Sequence, residues 1–174
     1  MEGGVRIGLL SDTHDRVPAV AELLRRFAEQ GAQLIMHAGD FCAPFAMRPL
    51  RDTPVPLLGV FGRNDGDRDG LAATAAALPA GGELYDSPHS FEVGGHTVLI
   101  VHDLAEANQR SLESHQVIVH GCAHRAEMKE RGGALLVNPG EGCGWLHGTP
   151  TGAILDLTAR RVEFVTLDGP EWRR

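Results

Sequence analysis

Aromatic side chains are scarce in this sequence, 5% of all residues, which argues against a stacking platform for single-stranded nucleic acid. Positive charge is short as well: 16 Lys and Arg stand against 23 Asp and Glu, a formal net charge of −7. That balance lacks the electrostatic footprint of a duplex-DNA binder and disfavours a nuclease acting on polynucleotides. No apolar run reaches about 18 residues, so no membrane-spanning helix and no membrane partner are expected. The opening Met-Glu-Gly-Gly-Val has neither the basic start nor the long apolar stretch of a secretory leader. Cysteine is limited to Cys42, Cys122 and Cys143, an odd number at wide spacing. They form no disulfide framework, which suits a reducing compartment, and a cytoplasmic location is expected. Low-complexity tracts, charge blocks and internal repeats are also missing.

What is present points to one domain. The chain has 174 residues, 43% of them apolar, enough for a sizeable core and cramped for two. Glycine and histidine are plentiful, 22 and 9 residues. The first suggests many tight turns and the second suggests metal.

Apolar runs at Val5–Leu10, Leu34–Ala38 and Val55–Phe61 read as buried strands. Between and after them, residues 17–30, a short stretch from Ala43 to about Arg48, and 67–78 read as helices. This β-α-β-α-β-α order is the signature of a parallel sheet carrying helices. The second half is richer in hairpins. Ser90–Val93 and His96–His102 meet at Gly94-Gly95, and Gly152–Leu157 meets Arg161–Leu167 around Thr158-Ala159-Arg160. Val117–His120 and Ala134–Val137 are further strands, and 104–114 reads as a helix with a weak apolar stripe. The expected fold is α/β, with about eight to ten strands in two packed sheets flanked by helices.

In such sheets functional groups gather at the carboxyl ends of strands. Those ends read Ser11-Asp12-Thr13-His14, His37-Ala38-Gly39-Asp40, Gly62-Arg63-Asn64-Asp65, His102-Asp103, Gly121-Cys122-Ala123-His124 and Asn138-Pro139-Gly140. Carboxylate and imidazole two residues apart at a strand exit can turn toward one ion, and this donor set suits Mn, Fe(II), Zn or Ni. An aspartate on the neighbouring strand can bridge two ions, which would clamp a phosphoryl group and generate hydroxide.

This ordered set resembles the calcineurin-like metallophosphoesterases, and within them the small YfcE-type phosphodiesterases of bacteria and archaea. The resemblance runs from residue 6 to about 167. It implies two β-sheets packed face to face with helices outside, an αββα sandwich. It implies hydrolysis of a small phosphodiester or phosphomonoester by in-line attack of a metal-bound hydroxide. The first metal would take Asp12, His14, Asp40 and His124, and the second would share Asp40 and add His102.

The sequence departs from the family pattern around the second metal. The family's Gly-Asn-x-Asp becomes Gly62-Arg63-Asn64-Asp65, the first histidine of its Gly-His-x-His becomes Cys122, and its His-Gly-His becomes His102-Asp103-Leu104. Arg63 stays protonated and is no ligand, but its fork can bind a phosphate and supply catalytic charge. Asn64 would contact substrate, or would reach the metal only if the loop slipped by one residue. Cys122 is a competent thiolate ligand or, equally, a small core residue. Three versions of the second site stay open: occupied with altered ligands, occupied weakly, or replaced by Arg63. The expectation is one tight site and a second that is weakened or replaced.

Other polar residues read as structural. His37 is expected to be a hydrogen-bonded core histidine, and Asp65 and Asn138 to shape loops. Cys42 and Cys143 are expected to be structural, and His89, His96, His115 and His147 to lie on the surface. His120 is divided between packing and lining the cleft. A rival reading is a non-catalytic binding module, like the retromer subunit of the same fold. A large exposed apolar patch away from the strand ends would mark it. The assembly state is left open, a homo-oligomer included.

Overall fold

The computed structural model describes residues 4–173. Met1, Glu2 and Gly3, part of the segment read for a leader, lie outside the described residues, as does Arg174. Among the described residues eleven strands form two sheets, one of six in the order β11-β10-β1-β2-β3-β4 and one of five in the order β5-β6-β7-β9-β8.

The first sheet is built on β1 (Arg6–Leu10), β2 (Leu34–His37), β3 (Leu57–Val60) and β4 (Gly82–Tyr85), all mutually parallel. The hairpin β10 (Thr151–Asp156) and β11 (Arg161–Thr166) extends it, antiparallel to β1. In the second sheet β6 (His96–Val101), β7 (Val117–His120) and β9 (Ala134–Pro139) run parallel. β5 (His89–Val93) and β8 (Ala126–Arg131) pair antiparallel with it at the edges.

Alternation along each strand sets the layers. Ile7 and Leu9 of β1 point into the core between the sheets, with Met36, Val60, Val98, Ile100, Val117, Val119, Leu135 and Val137. Leu10 points the other way, into a second core formed with α1 (Val17–Glu29) and α2 (Arg68–Ala76). A smaller core lies under Leu112 of α3 (Gln109–Ser114), against Leu99, Val101, Ile118 and Leu136. The result is the expected four-layer sandwich. Among the described residues no helix is long and apolar enough to cross a membrane.

Three expectations need correction. The segment 104–114 is not one helix. Asp103 caps a single turn at Leu104–Glu106, and Asn108 caps α3 with its own reciprocal pair to Ser111. Two capping boxes in succession start the helix twice. The short helix expected from Ala43 to about Arg48 is a 3₁₀ segment running from Pro44 to Asp52, through Pro49. Strands β4 and β8 were not anticipated. All six residues of β8 are exposed, so its sequence carries no buried face to announce a strand.

Helix α1 sits close to the first sheet because Phe27 lies over two glycines. A Cβ at Gly8 would come within 2.6 Å of Phe27 Cδ2, and one at Gly152 within 2.7 Å of Phe27 Cζ. Phe27 is fully buried, so it has no room to retreat. Gly8→Ala is therefore expected to cost about 1–3 kcal/mol by overpacking. Thermal unfolding followed by circular dichroism should show the midpoint falling by roughly 2–12 °C, on a scale of about 2–4 °C per kcal/mol for a domain of this size.

Candidate metal centre

Parallel strands deliver their exits to one edge, so the ends of β1, β2, β3, β6, β7 and β9 all meet there. Backbone bonds join them: Asp12 N–H donates to Gly39 O at 3.0 Å, Cys143 N–H to Asp12 O at 3.1 Å, and Gly142 N–H to Ser11 O at 2.9 Å. Asp65, only 4% exposed, ties two exits with one carboxylate. It accepts from Asp40 N at 3.0 Å, Gly62 N at 2.7 Å and Cys42 N at 2.7 Å. Asn138 holds the third region, donating to Gly121 O at 3.2 Å and accepting from Gly140 N at 2.9 Å. Both residues shape loops, as expected.

The chain is bent hard at this edge. Eight non-glycine residues have positive φ among those described, and seven of them are Asp12, His14, Asp15, Asp40, Cys42, Cys122 and His124. Such conformations are unfavourable for ordinary side chains and gather at functional sites.

Three imidazoles converge with the same polarity. His14 Nδ1 lies 3.3 Å from Cys42 Sγ, His102 Nδ1 lies 2.8 Å from Ala38 O, and His124 Nδ1 lies 3.0 Å from Glu141 Oε2. Each Nε2 is turned inward, to a carboxylate. His124 Nε2 is 3.3 Å and His14 Nε2 is 3.8 Å from Asp12 Oδ1, while His14 Nε2 and His102 Nε2 are each 3.5 Å from Asp40 Oδ2. With Nδ1–H committed to an acceptor, Nε2 presents a lone pair. Lone pairs of nitrogen and oxygen facing one another are stable when a cation lies between them.

Asp12 shows the same demand. Its Oδ2 accepts from Ser11 Oγ at 2.6 Å and from Cys122 N at 3.0 Å. Its Oδ1, and Nε2 of His14, are buried with no hydrogen-bond partner among the described residues. Burial raises the Asp12 carboxyl above its ordinary range, against the lowering pull of the Ser11 hydroxyl and of His124. Buried polar atoms are almost always paired, so an orphaned carboxylate oxygen beside an orphaned imidazole nitrogen calls for a partner of positive charge. Donor atoms of Asp12, His14 and His124 lie within 4.8 Å of one another, and so do those of Asp12, Asp40 and His102. The donor set therefore fits a divalent metal ion.

The residues at which the sequence departs from the family pattern fall as follows. Arg63 points to the rim and forms an ion pair with Asp103. Asn64 turns inward: its backbone N–H donates to Asp40 Oδ1 at 2.8 Å and its amide to Asp40 Oδ2 at 2.7 Å. The strand has ended at Val60 and residues 63–64 form a turn, where strand alternation does not set the direction of a side chain. Cys122 Sγ lies 3.9 Å from Asp103 Oδ2, and it joins neither donor cluster. Burial, and then the Asp103 carboxylate, push its thiol up.

Glu141 is the residue that sequence reasoning missed, one place beyond the Asn138-Pro139-Gly140 exit. It is 1% exposed and accepts from His124, Leu146 N, His147 N and the Cys143 thiol. Burial opposes its charge, but those donors hold its carboxyl below the ordinary range. A glutamate one residue past a strand exit was the available signal. Cys42 and Cys143 back the histidine shell, and burial pushes both thiols up to about 12. His37 is a core histidine as expected. It accepts from Gly39 N at 3.1 Å and meets Thr13 Oγ1 at 3.0 Å, and complete burial keeps it neutral. His120 is buried at 3% exposure.

Comparison with known proteins agrees with this geometry. Residues 5–160 match the model of the calcineurin-like phosphoesterase superfamily domain. A phosphodiesterase of Methanocaldococcus jannaschii is 27% identical over 167 residues, covering 94% of this chain and all of that protein. The solved structure of a novel archaeal phosphodiesterase superposes with a TM-score of 0.84 at 28% identity, over 94% of this chain and 100% of its own. The Vps29 protein of Entamoeba histolytica shares the fold, with a TM-score of 0.65 at 19% identity over 94% of this chain and all of its own. The chain belongs to the calcineurin-like phosphoesterase superfamily.

Proposed function

We propose that the protein is a metal-dependent phosphodiesterase acting on a small phosphoester. The observation that carries this reading is the pair of buried, unpartnered atoms Asp12 Oδ1 and His14 Nε2, with His124 Nε2 closing on the same oxygen at 3.3 Å. Asp12, His14, Asp40 and His124 would hold the first ion, a divalent transition metal such as Mn, Fe, Ni or Zn. Asp40 would be shared with a second site, to which His102 and Asn64 contribute. Rotating the Asn64 amide presents its oxygen instead of its nitrogen, so the asparagine can serve although it comes one place late in the sequence. When bound, the ions supply positive charge to the phosphoryl oxygens and a water activated for in-line attack.

The chain's own residues do the rest. Glu141, Ala38 O and Cys42 fix the three imidazoles by their Nδ1 atoms, so each Nε2 is aimed before anything binds. Asp65 holds Asp40 and Gly62 in register. Arg63 lines a cavity beside His102 and offers its fork to a phosphoryl oxygen. The relative named as a phosphodiesterase supports the substrate class.

The scaffold reading is less well supported. Of the exposed large apolar side chains, Phe45 stands on the 3₁₀ segment after β2 and Trp145 and Leu146 on the loop after β9, on the side of the centre, and only Met128 and Phe164, exposed by 49% and 41%, stand away from it among the described residues, on β8 and β11.

Asp40→Asn should lower metal content and hydrolysis of bis-p-nitrophenyl phosphate together, by roughly 10–100-fold or more, since even residues behind the ligands matter that much. Elemental analysis alongside the rate decides, and a variant that binds metal and turns over normally removes the assignment. For the second site, titration calorimetry with Mn should give one tight and one weaker event, separated by more than about tenfold, because Cys122 stands in place of a histidine. Cys122→His should narrow the gap. Two equally tight events in the wild type would overturn the weakened site.

A further inference from the structure

A cavity of about 320 Å³ adjoins the metal centre on the side of His102, lined by Phe61, Arg63, Arg68, Ser87, Asp86 and Glu106 among others. Its two arginines are prepared differently. Arg63 is held, among the described residues, by its exposed pair with Asp103. Arg68, the first residue of α2, is fixed from behind. Its Nη2 and Nε lie 3.4 Å from Gly62 O and Asp65 O, and its guanidinium sits 5.3 Å over the Phe61 ring. Those three supports belong to the exit of β3, the same loop that carries Asn64 to Asp40. Arg68 Nη1 reaches outward to Asp86 at 3.0 Å.

The acidic groups on the wall do not cancel this charge equally. Glu106 is engaged, its oxygens accepting from Asp103 N at 3.0 Å and Ser87 Oγ at 2.6 Å. Asp86 has no such fixing: its side chain is 84% exposed, and that of Arg68 is 49% exposed. An exposed ion pair of this kind contributes little net stability, so a better anion displaces the aspartate. Two guanidinium forks facing one space suit an anion with several oxygens and more than one charge. A phosphate satisfies both, whereas a carboxylate satisfies one.

We propose that this cavity is a subsite for a second phosphoryl group of the substrate, held by Arg68 and Arg63 while the scissile phosphoryl lies at the metal centre. The proposal rests on the phosphoesterase reading and narrows its substrate class to compounds carrying two phosphoryl groups a short spacer apart.

The test compares propane-1,3-diyl bisphosphate with propyl phosphate as competitors of bis-p-nitrophenyl phosphate hydrolysis by the Mn-loaded protein. The bisphosphate should bind at least tenfold more tightly, and Arg68→Gln should shrink that ratio to within about threefold, with folding checked by circular dichroism. Asp86→Asn, which removes the competing carboxylate, should tighten bisphosphate binding two- to fivefold and leaves Arg68 in place. A ratio near one in the wild type, a ratio untouched by Arg68→Gln, or no tightening in Asp86→Asn overturns the subsite. Calorimetry of the same two compounds on the loaded protein reads the subsite without turnover. If hydrolysis is absent but the ratio holds, the phosphodiesterase reading fails and the subsite stands.

Discussion

One carboxylate, that of Asp12, carries the organisation of the site. It is fully buried at the seam of the two sheets. One of its oxygens is committed to Ser11 and to the backbone of Cys122 across the seam, and the other is left bare. A buried charge is costly unless paired. The first oxygen holds the sheets' exits together, and the second is the acceptor that the proposed ion would meet. The histidines repeat this division, with one ring nitrogen spent on the protein and the other turned inward.

The departures from the family pattern meet one another. Arg63 pairs with Asp103, and Cys122 approaches the same carboxylate oxygen. Arg63 brings a positive charge to the rim of the proposed metal centre. Asp103 compensates it, held low by the Ala105 N–H and by Arg63 itself. Asn64, one place further on, turns inward to Asp40 while Arg63 turns outward.

Much of this was legible in the sequence because chemistry and periodicity coincide at strand exits. The alternating cores and the parallel order bring Asp12, His14, Asp40, His102 and His124 to one edge. What escaped did so for definable reasons. β8 buries nothing, so no pattern marks it. Glu141 acts on His124 from a loop whose path depends on Gly140 and Gly144, both at positive φ, and path is not periodic. The direction of Asn64 is set by a turn beyond the last residue of β3, where no periodicity marks which way a side chain points. Arg68 was unremarkable as a helix's first residue, and only the fold sets it over Phe61.

The positive φ angles at the centre carry a consequence for how the molecule is divided. Left-handed backbone costs on the order of 1–2 kcal/mol per ordinary residue, less for aspartate. Summed over the seven residues at this edge, that approaches a whole domain's net stability of about 5–15 kcal/mol. The edge therefore has no preference of its own for the shape it holds; the apolar layers beneath impose it. At Cys42, with φ 80°, a glycine would sit more comfortably, yet glycine has no sulfur to set against His14. There the chain forgoes local ease to keep a ring pointed in one direction.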